Sequence, residues 1–101
     1  LLMETRADAF VALPGGFGTL EEIMEILTLR QINVVHKPCV FLNQDGFYDD
    51  LLRFFDRMLA EKFFKPSNLG LFRVARDVPD IFAQIDAAAT APAETKWFDT
   101  R

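Results

Sequence analysis

Two rhythms of apolar residues alternate along this 101-residue chain. Ala9-Phe10-Val11-Ala12-Leu13 is a short unbroken apolar run, and it reads as a buried strand over Asp8–Leu13. Leu20, Ile23, Met24, Ile26, Leu27 and Leu29 then recur at helical spacing. They predict a helix from Thr19 to about Asn33, buried on a broad face because its apolar positions cover more than one stripe. Val34–Lys37 is a connector closed by Pro38, which cannot continue a helix. Cys39-Val40-Phe41-Leu42 lacks polar alternation, as expected of a strand in a parallel sheet covered on both faces. Asn43-Gln44-Asp45-Gly46 is a turn in which Gly46 supplies a positive φ. A second helix is expected from Phe47 or Tyr48 to about Lys62, with Leu51, Leu52, Phe55, Met58 and Leu59 on its apolar side. Pro66-Ser67-Asn68 breaks the chain before a weaker third strand, Leu71–Ala75. Asp77 is positioned to cap a last helix carrying Val78, Ile81, Phe82 and Ile85, with Pro79 tolerated in its first turn.

The ends are less regular. Leu1–Ala7 reads as the last turns of a helix, and the chain starts on two leucines without an initiator Met. This points to a fragment whose upstream part is missing; a processed small domain is the alternative. Beyond Ala87 the Ala-Thr-Pro-Glu composition reads as a loose tail. Trp97 and Phe98 are its exceptions, suited to dock on the domain or a neighbouring subunit. The order strand–helix, three times over, argues for an α/β fold with a Rossmann-like, three-layer parallel sheet. Three strands make about half of such a domain. The expected organisation is therefore residues 1–87 as a partial domain and 88–101 as a tail.

Composition narrows the partners. Half of the residues are hydrophobic and eleven are Phe, so core material is ample. A net charge of −4 argues against general nucleic-acid binding, which needs a basic face, yet it leaves room for a small anionic ligand held by local dipoles. One cysteine, Cys39, rules out an internal disulfide and fits a reducing, cytoplasmic setting. No apolar stretch approaches the roughly 20 residues of a membrane span.

Chemistry concentrates in Pro14-Gly15-Gly16-Phe17-Gly18-Thr19-Leu20-Glu21-Glu22. A strand ending in a glycine-rich turn that opens a helix presents backbone N–H groups and a positive dipole end to an anion. Gly15 and Gly16 let a ligand approach the backbone, Gly18 allows a tight start to the helix, and Thr19 is a good N-cap whose hydroxyl can instead face a phosphate. The turn is neither a Walker A loop nor a dinucleotide fingerprint. Two carboxylates follow in the first helical turn. Thr19-x-x-Glu22 also fits a capping box, in which Glu22 reaches back to the Thr19 backbone N–H. Both roles for Glu22 stay open on the sequence.

That nine-residue string resembles the PGGxGTxxE signature of the LOG (Lonely Guy) family, cytokinin-activating phosphoribohydrolases also labelled possible lysine decarboxylases. The resemblance continues through Asp8-Ala9-Phe10, Gln31, His36-Lys37-Pro38, Asn43-x-Asp45-Gly46-Phe47-Tyr48 and Phe64-x-Pro66, and so covers approximately residues 1–87, the C-terminal half of a member. It implies hydrolysis of the N-glycosidic bond of a nucleoside 5′-monophosphate, preferably one with an N-modified adenine, to free base and ribose 5-phosphate. By position, Gly15, Gly16, Gly18 and Thr19 would hold the phosphate, Met3 would lie near the base or ribose, and Glu22 would be the catalytic acid residue. Glu21 becomes a peripheral residue. The resemblance implies neither cofactor nor metal, and a homodimer or higher homo-oligomer whose sites draw on the neighbouring subunit. The family's catalytic Arg belongs just before the segment matching Leu1-Leu2-Met3, so the chain as given is expected to be weakly active or inactive alone; Arg6 is not a matching replacement and reads as a solvated helix-end charge.

Lysine decarboxylation fits poorly. It normally needs pyridoxal phosphate on a lysine, and none of Lys37, Lys62, Lys65 or Lys96 ends a strand near the glycine turn. His36, the sole histidine, is assigned to a loop at the far end of the first helix. Cys39 reads as a small buried hydrophobe. Arg53, Asp56 and Arg57 form a solvated helix face. Phe54, Phe55, Phe63 and Phe64 read mainly as core, with an excess available for a subunit contact. The competing functions are a nucleotide or cofactor carrier using the same cradle without turnover, and a dimerisation scaffold.

Overall fold

The computed structural model describes the backbone of Leu2–Glu4 and residues 9–90. A four-stranded sheet runs in the order β1 (Leu2–Glu4), β2 (Phe10–Ala12), β3 (Cys39–Leu42), β4 (Phe72–Ala75). The helices are α1 (Phe17–Gln31), α2 (Asp49–Ala60) and α3 (Val78–Thr90), with short 3-10 segments at Gln44–Gly46 and Pro66–Leu71. β2, β3 and β4 are parallel, with Val11 opposite Val40 and Phe41 opposite Val74. This is the Rossmann-like α/β architecture, three strands of parallel sheet between helical layers.

β3 decides the layering. All four of its residues are buried, so both faces must be covered. Val40 and Leu42 join Val11, Ala75 and Ile81 beneath α3, while Phe41 joins Ala12, Ile23, Tyr48 and Phe55 beneath α1 and α2. Phe41 is the hub of the second cluster. Its ring meets Tyr48 at 5.1 Å, Phe72 at 5.6 Å and Phe55 at 6.2 Å between centroids, all edge-on, the geometry that aromatic quadrupoles favour.

Helix ends follow local chemistry. α1 and α2 each stop in a Schellman motif. Asn33 and Lys62 take φ of 63° and 66°, and the next amides, Val34 and Phe63, reach back to Leu29 and Met58 at 2.8 Å. Asp77 caps α3 as expected, its Oδ1 accepting from the Asp80 N–H at 2.9 Å. Asp80 accepts in turn from the Arg76 N–H, which holds its carboxyl below the usual range. Gly46 has the positive φ expected of it, 73°.

Three expectations need correction. Leu2–Glu4 is a strand antiparallel to β2, with Leu2 opposite Ala12 and Glu4 opposite Phe10, and not the end of a helix. A short apolar stretch carries no period, and the open edge of β2 offers its backbone partners. α1 is not broadly buried: Ile23 has no exposure, but Met24 is 36% exposed and Leu20, Ile26, Leu27 and Leu29 are half-buried. α3 runs to Thr90, three residues beyond Ala87, because its Ala-rich end continues a good helix former. Arg6, Trp97 and Phe98 lie outside the described residues.

Phe41→Ala removes the shared ring of the α1–α2 cluster. It is expected to lower the unfolding free energy by about 3–5 kcal/mol, read as a shift of the urea midpoint followed by far-UV circular dichroism.

Candidate phosphate-binding turn and its supports

The glycine turn joins β2 to α1 at the carboxyl edge of the sheet, where open α/β sheets place their ligands. Pro14, Gly15, Gly16, Phe17 and Gly18 are all exposed. Gly16 is the N-cap, with φ −107° and ψ −148°, and no side chain caps the helix. The helical ladder opens with the Leu20 N–H donating to the Gly16 carbonyl at 3.1 Å. The amides of Phe17 and Gly18 stand ahead of that bond, without partners inside the helix, at the positive end of a 15-residue dipole.

This geometry overturns the assignment of Thr19 as N-cap. α1 starts two residues earlier than Thr19, since glycine is itself an acceptable N-cap. Thr19 becomes the third helical residue and is only 6% exposed. The Thr19–Glu22 capping box is therefore absent, and both glutamates sit in the second turn rather than the first.

Among the described residues no side-chain or backbone packing accounts for two of the glycines. A Cβ on Gly16 or Gly18 would meet no atom within 4 Å, and neither residue has a positive φ. The bare backbone faces outward. Gly18 and Glu22 are four residues apart and so share one side of α1, while Glu21 lies in the row of Phe17. Glu21 and Glu22 are both exposed, and Phe17 is 90% exposed.

The inner flank of the turn is held by residues that the sequence reading did not implicate. The Tyr48 hydroxyl donates to the Leu13 carbonyl at 2.5 Å. The Tyr48 N–H donates to Asn43 Oδ1 at 2.6 Å, and Asn43 Nδ2 donates to Asp49 at 2.7 Å. The Asn43 N–H donates to the Ala75 carbonyl, also at 2.7 Å. This relay ties together the carboxyl ends of β2, β3 and β4. Tyr48 is 2% exposed; burial pushes its pKa up, and negative charge on Cys39 would add to the shift. The phenol thus stays protonated and able to donate at neutral pH. The only sequence signal for this role was the Asn43–Tyr48 stretch within the resemblance.

The opposite edge is structural. Arg30, only 8% exposed, donates to the His36 carbonyl at 2.7 Å and the Gly70 carbonyl at 3.4 Å, fastening α1 to the loops before β3 and β4. The exposed His36 lies in this edge's loops, as expected. Cys39 is fully buried, and burial drives its thiol up to about 12, partly opposed by the Arg30 charge. Lys37 precedes β3, and Lys62 and Lys65 fall between α2 and β4, so all three lie at the edge remote from the turn. Lys96 is outside the described residues.

An open, mainly apolar groove of about 180 Å³ separates α1 from the end of α2, between Met24, Leu27, Met58, Phe63 and Phe64. The phenylalanine cluster is accordingly split. Phe55 is buried and Phe64 packs against the core, but Phe54 and Phe63 are 60% and 77% exposed. Met3 is described by its backbone alone, opposite Val11. Among the described residues no group of three or more His, Cys, Asp or Glu is arranged to hold a metal, and no helix is long and apolar enough to cross a membrane.

The sequence profile of the family described as "Possible lysine decarboxylase" matches residues 1–85. The chain is 46% identical over 84 residues to a rice (Oryza sativa subsp. japonica) protein named "Probable cytokinin riboside 5'-monophosphate phosphoribohydrolase LOGL9", covering 83% of this chain and 37% of the relative. It is 40% identical over 84 residues to the Arabidopsis thaliana "Cytokinin riboside 5'-monophosphate phosphoribohydrolase LOG7", covering 83% and 39%. A second rice protein, named "Probable cytokinin riboside 5'-monophosphate phosphoribohydrolase LOGL3", is 51% identical over 65 residues, 64% of this chain and 31% of its own length. The chain thus spans less than two-fifths of the length of these relatives.

Gly18→Ala tests whether the chain's own packing requires the glycine. The substitution is expected to stabilise the ligand-free chain by about 0.5–1 kcal/mol, the usual gain of Ala over Gly in a helix. Urea denaturation measures this; a clear destabilisation would reveal an internal reason for the glycine.

Proposed function

The chain belongs to the possible lysine decarboxylase family that includes the LOG proteins, and from that premise we propose that it supplies the phosphate cradle and the acid of a nucleoside 5′-monophosphate phosphoribohydrolase. The substrate class is a cytokinin riboside 5′-monophosphate or a related adenosine 5′-monophosphate. The observation that carries this reading is the outward-facing backbone at Gly16 and Gly18, unexplained by internal packing, with the exposed Glu22 one turn along the same helix side.

In this proposal Gly15, Gly16, Gly18 and Thr19 receive the 5′-phosphate on the backbone amides at the mouth of α1. Charge complementarity with the helix end favours the dianion. Met3 lies toward the base or ribose. The bond that breaks joins the anomeric carbon to the base nitrogen. As it lengthens, the sugar gains oxocarbenium character, which the Glu22 carboxylate stabilises electrostatically. Water then adds to the anomeric carbon and gives a proton to Glu22; the departing base nitrogen takes up one proton from solvent and Glu22 returns its own to solvent, so the acid ends the cycle as a carboxylate. The products are the free base and ribose 5-phosphate. No step uses a cofactor or a metal.

A homodimer or higher homo-oligomer is part of the same reading. Its support is the apolar groove beside α1 together with the outward Phe17, Met24 and Phe63. Function in the reducing cytoplasm is supported by the lone, buried cysteine. A carrier that binds the nucleotide without turnover is the second reading, favoured by the same cradle.

Glu22 separates them. In the full-length protein, Glu22→Gln is expected to cut release of adenine from AMP by at least about 100-fold while AMP still binds. Chromatographic assay of free adenine checks this, and turnover at the parental rate would refute the hydrolase. Gly18→Ala is expected to weaken AMP binding at least about tenfold by calorimetry, since its new methyl would occupy the ligand's approach.

A further inference from the structure

We infer that Tyr48 is a positioning residue for the glycine turn, its hydroxyl setting the orientation from which the phosphate-facing amides are presented. The inference rests on the phosphate-cradle reading above and adds a residue to it.

The argument begins with the peptide that Tyr48 holds. Its hydroxyl donates to the Leu13 carbonyl, the oxygen of the Leu13–Pro14 amide. That amide leads into the turn. Holding its oxygen fixes the peptide plane, and the proline ring fixes φ of the next residue near −65°. Only ψ at Pro14 and the torsions of Gly15 and Gly16 remain before α1 begins. Two glycines alone leave the backbone broad freedom, so holding the peptide directly before Pro14 leaves fewer free torsions than the β2 ladder, which ends at Ala12, would leave by itself.

Tyr48 is itself rigidly placed. Its backbone N–H is held by Asn43, whose own N–H is bonded to the end of β4. Its ring packs edge-on against Phe41 and Phe47, at 5.1 and 5.0 Å. The hydroxyl therefore transmits the position of the central strand to the turn. A phenylalanine would satisfy the packing and leave out the transmission. Preorganised amides bind an anion without first losing conformational entropy, so the loss should appear in affinity for the phosphate.

The test uses full-length protein labelled with [¹⁵N]glycine, and Tyr48→Phe, which removes one oxygen. The expected result has four parts. The Gly15 and Gly16 amide resonances move without ligand, whereas that of Gly70, at the remote edge, stays. The Kd and KM for AMP rise about threefold to tenfold, the worth of one hydrogen bond. kcat stays within about twofold. Weak binding of adenosine, which lacks the phosphate, is unchanged. Asn43→Ser, which leaves the phenol in place but loosens its backbone, should give a smaller loss of the same kind.

A variant with a lower melting temperature, unmoved glycine resonances and parental AMP affinity would make Tyr48 a core ring only and overturn the inference alone. A parent protein whose turn amides ignore AMP overturns the nucleotide reading and this inference together.

Discussion

β3 is buried along its whole length, and a strand with no wet face must have helices packed on both sides of it. From that constraint follows the placement of everything else. Val40 and Leu42 demand α3; Phe41 demands α1 and α2. With helices on both faces, only the two edges of the sheet remain for polar business. The carboxyl edge receives the glycine turn, the exposed mouth of α1 and the Asn43–Tyr48 relay. The amino edge receives the buried Arg30 with Lys37, Lys62 and Lys65. The polar groups of the two edges are thereby separated by the length of the strands.

The two edges also differ in how their polar groups are satisfied. At the amino edge, Arg30 spends its donors on carbonyls of His36 and Gly70, 6 and 40 residues away. Such charge-assisted bonds make a buried guanidinium tolerable and lock loops together. At the carboxyl edge the first amides of α1 have no side-chain cap, although many residue types there would have supplied one. A helix start left open in this way gives up a modest amount of stability. Under the proposed function, the substrate's phosphate would complete that cap.

Much of the fold was legible because burial imposes period and punctuation. The unbroken run at Cys39–Leu42 marked a strand covered twice, and Asp77 marked the start of α3, both as found. Gly46 announced its positive φ. What was illegible depended on distance or competition. Leu2–Glu4 is too short to carry a period, and only the free edge of β2 makes it a strand. Thr19 looked like a cap because serine and threonine usually outcompete glycine there; the chain starts α1 at Phe17 nonetheless. The site motif was visible, but its supports were not. Tyr48 reaches a carbonyl 35 residues earlier, and a buried Arg30 in an apolar helix looks the same on paper as a solvated one.

Cys39 sits in the middle of this layering, fully sealed, with its proton held tightly far above neutral pH. As the only sulfhydryl in the 101 residues, it leaves the chain's surface chemically silent toward maleimides and related probes. A cysteine introduced on the exposed rim of the glycine turn would then carry a fluorophore or spin label alone, without first removing a native residue from the core.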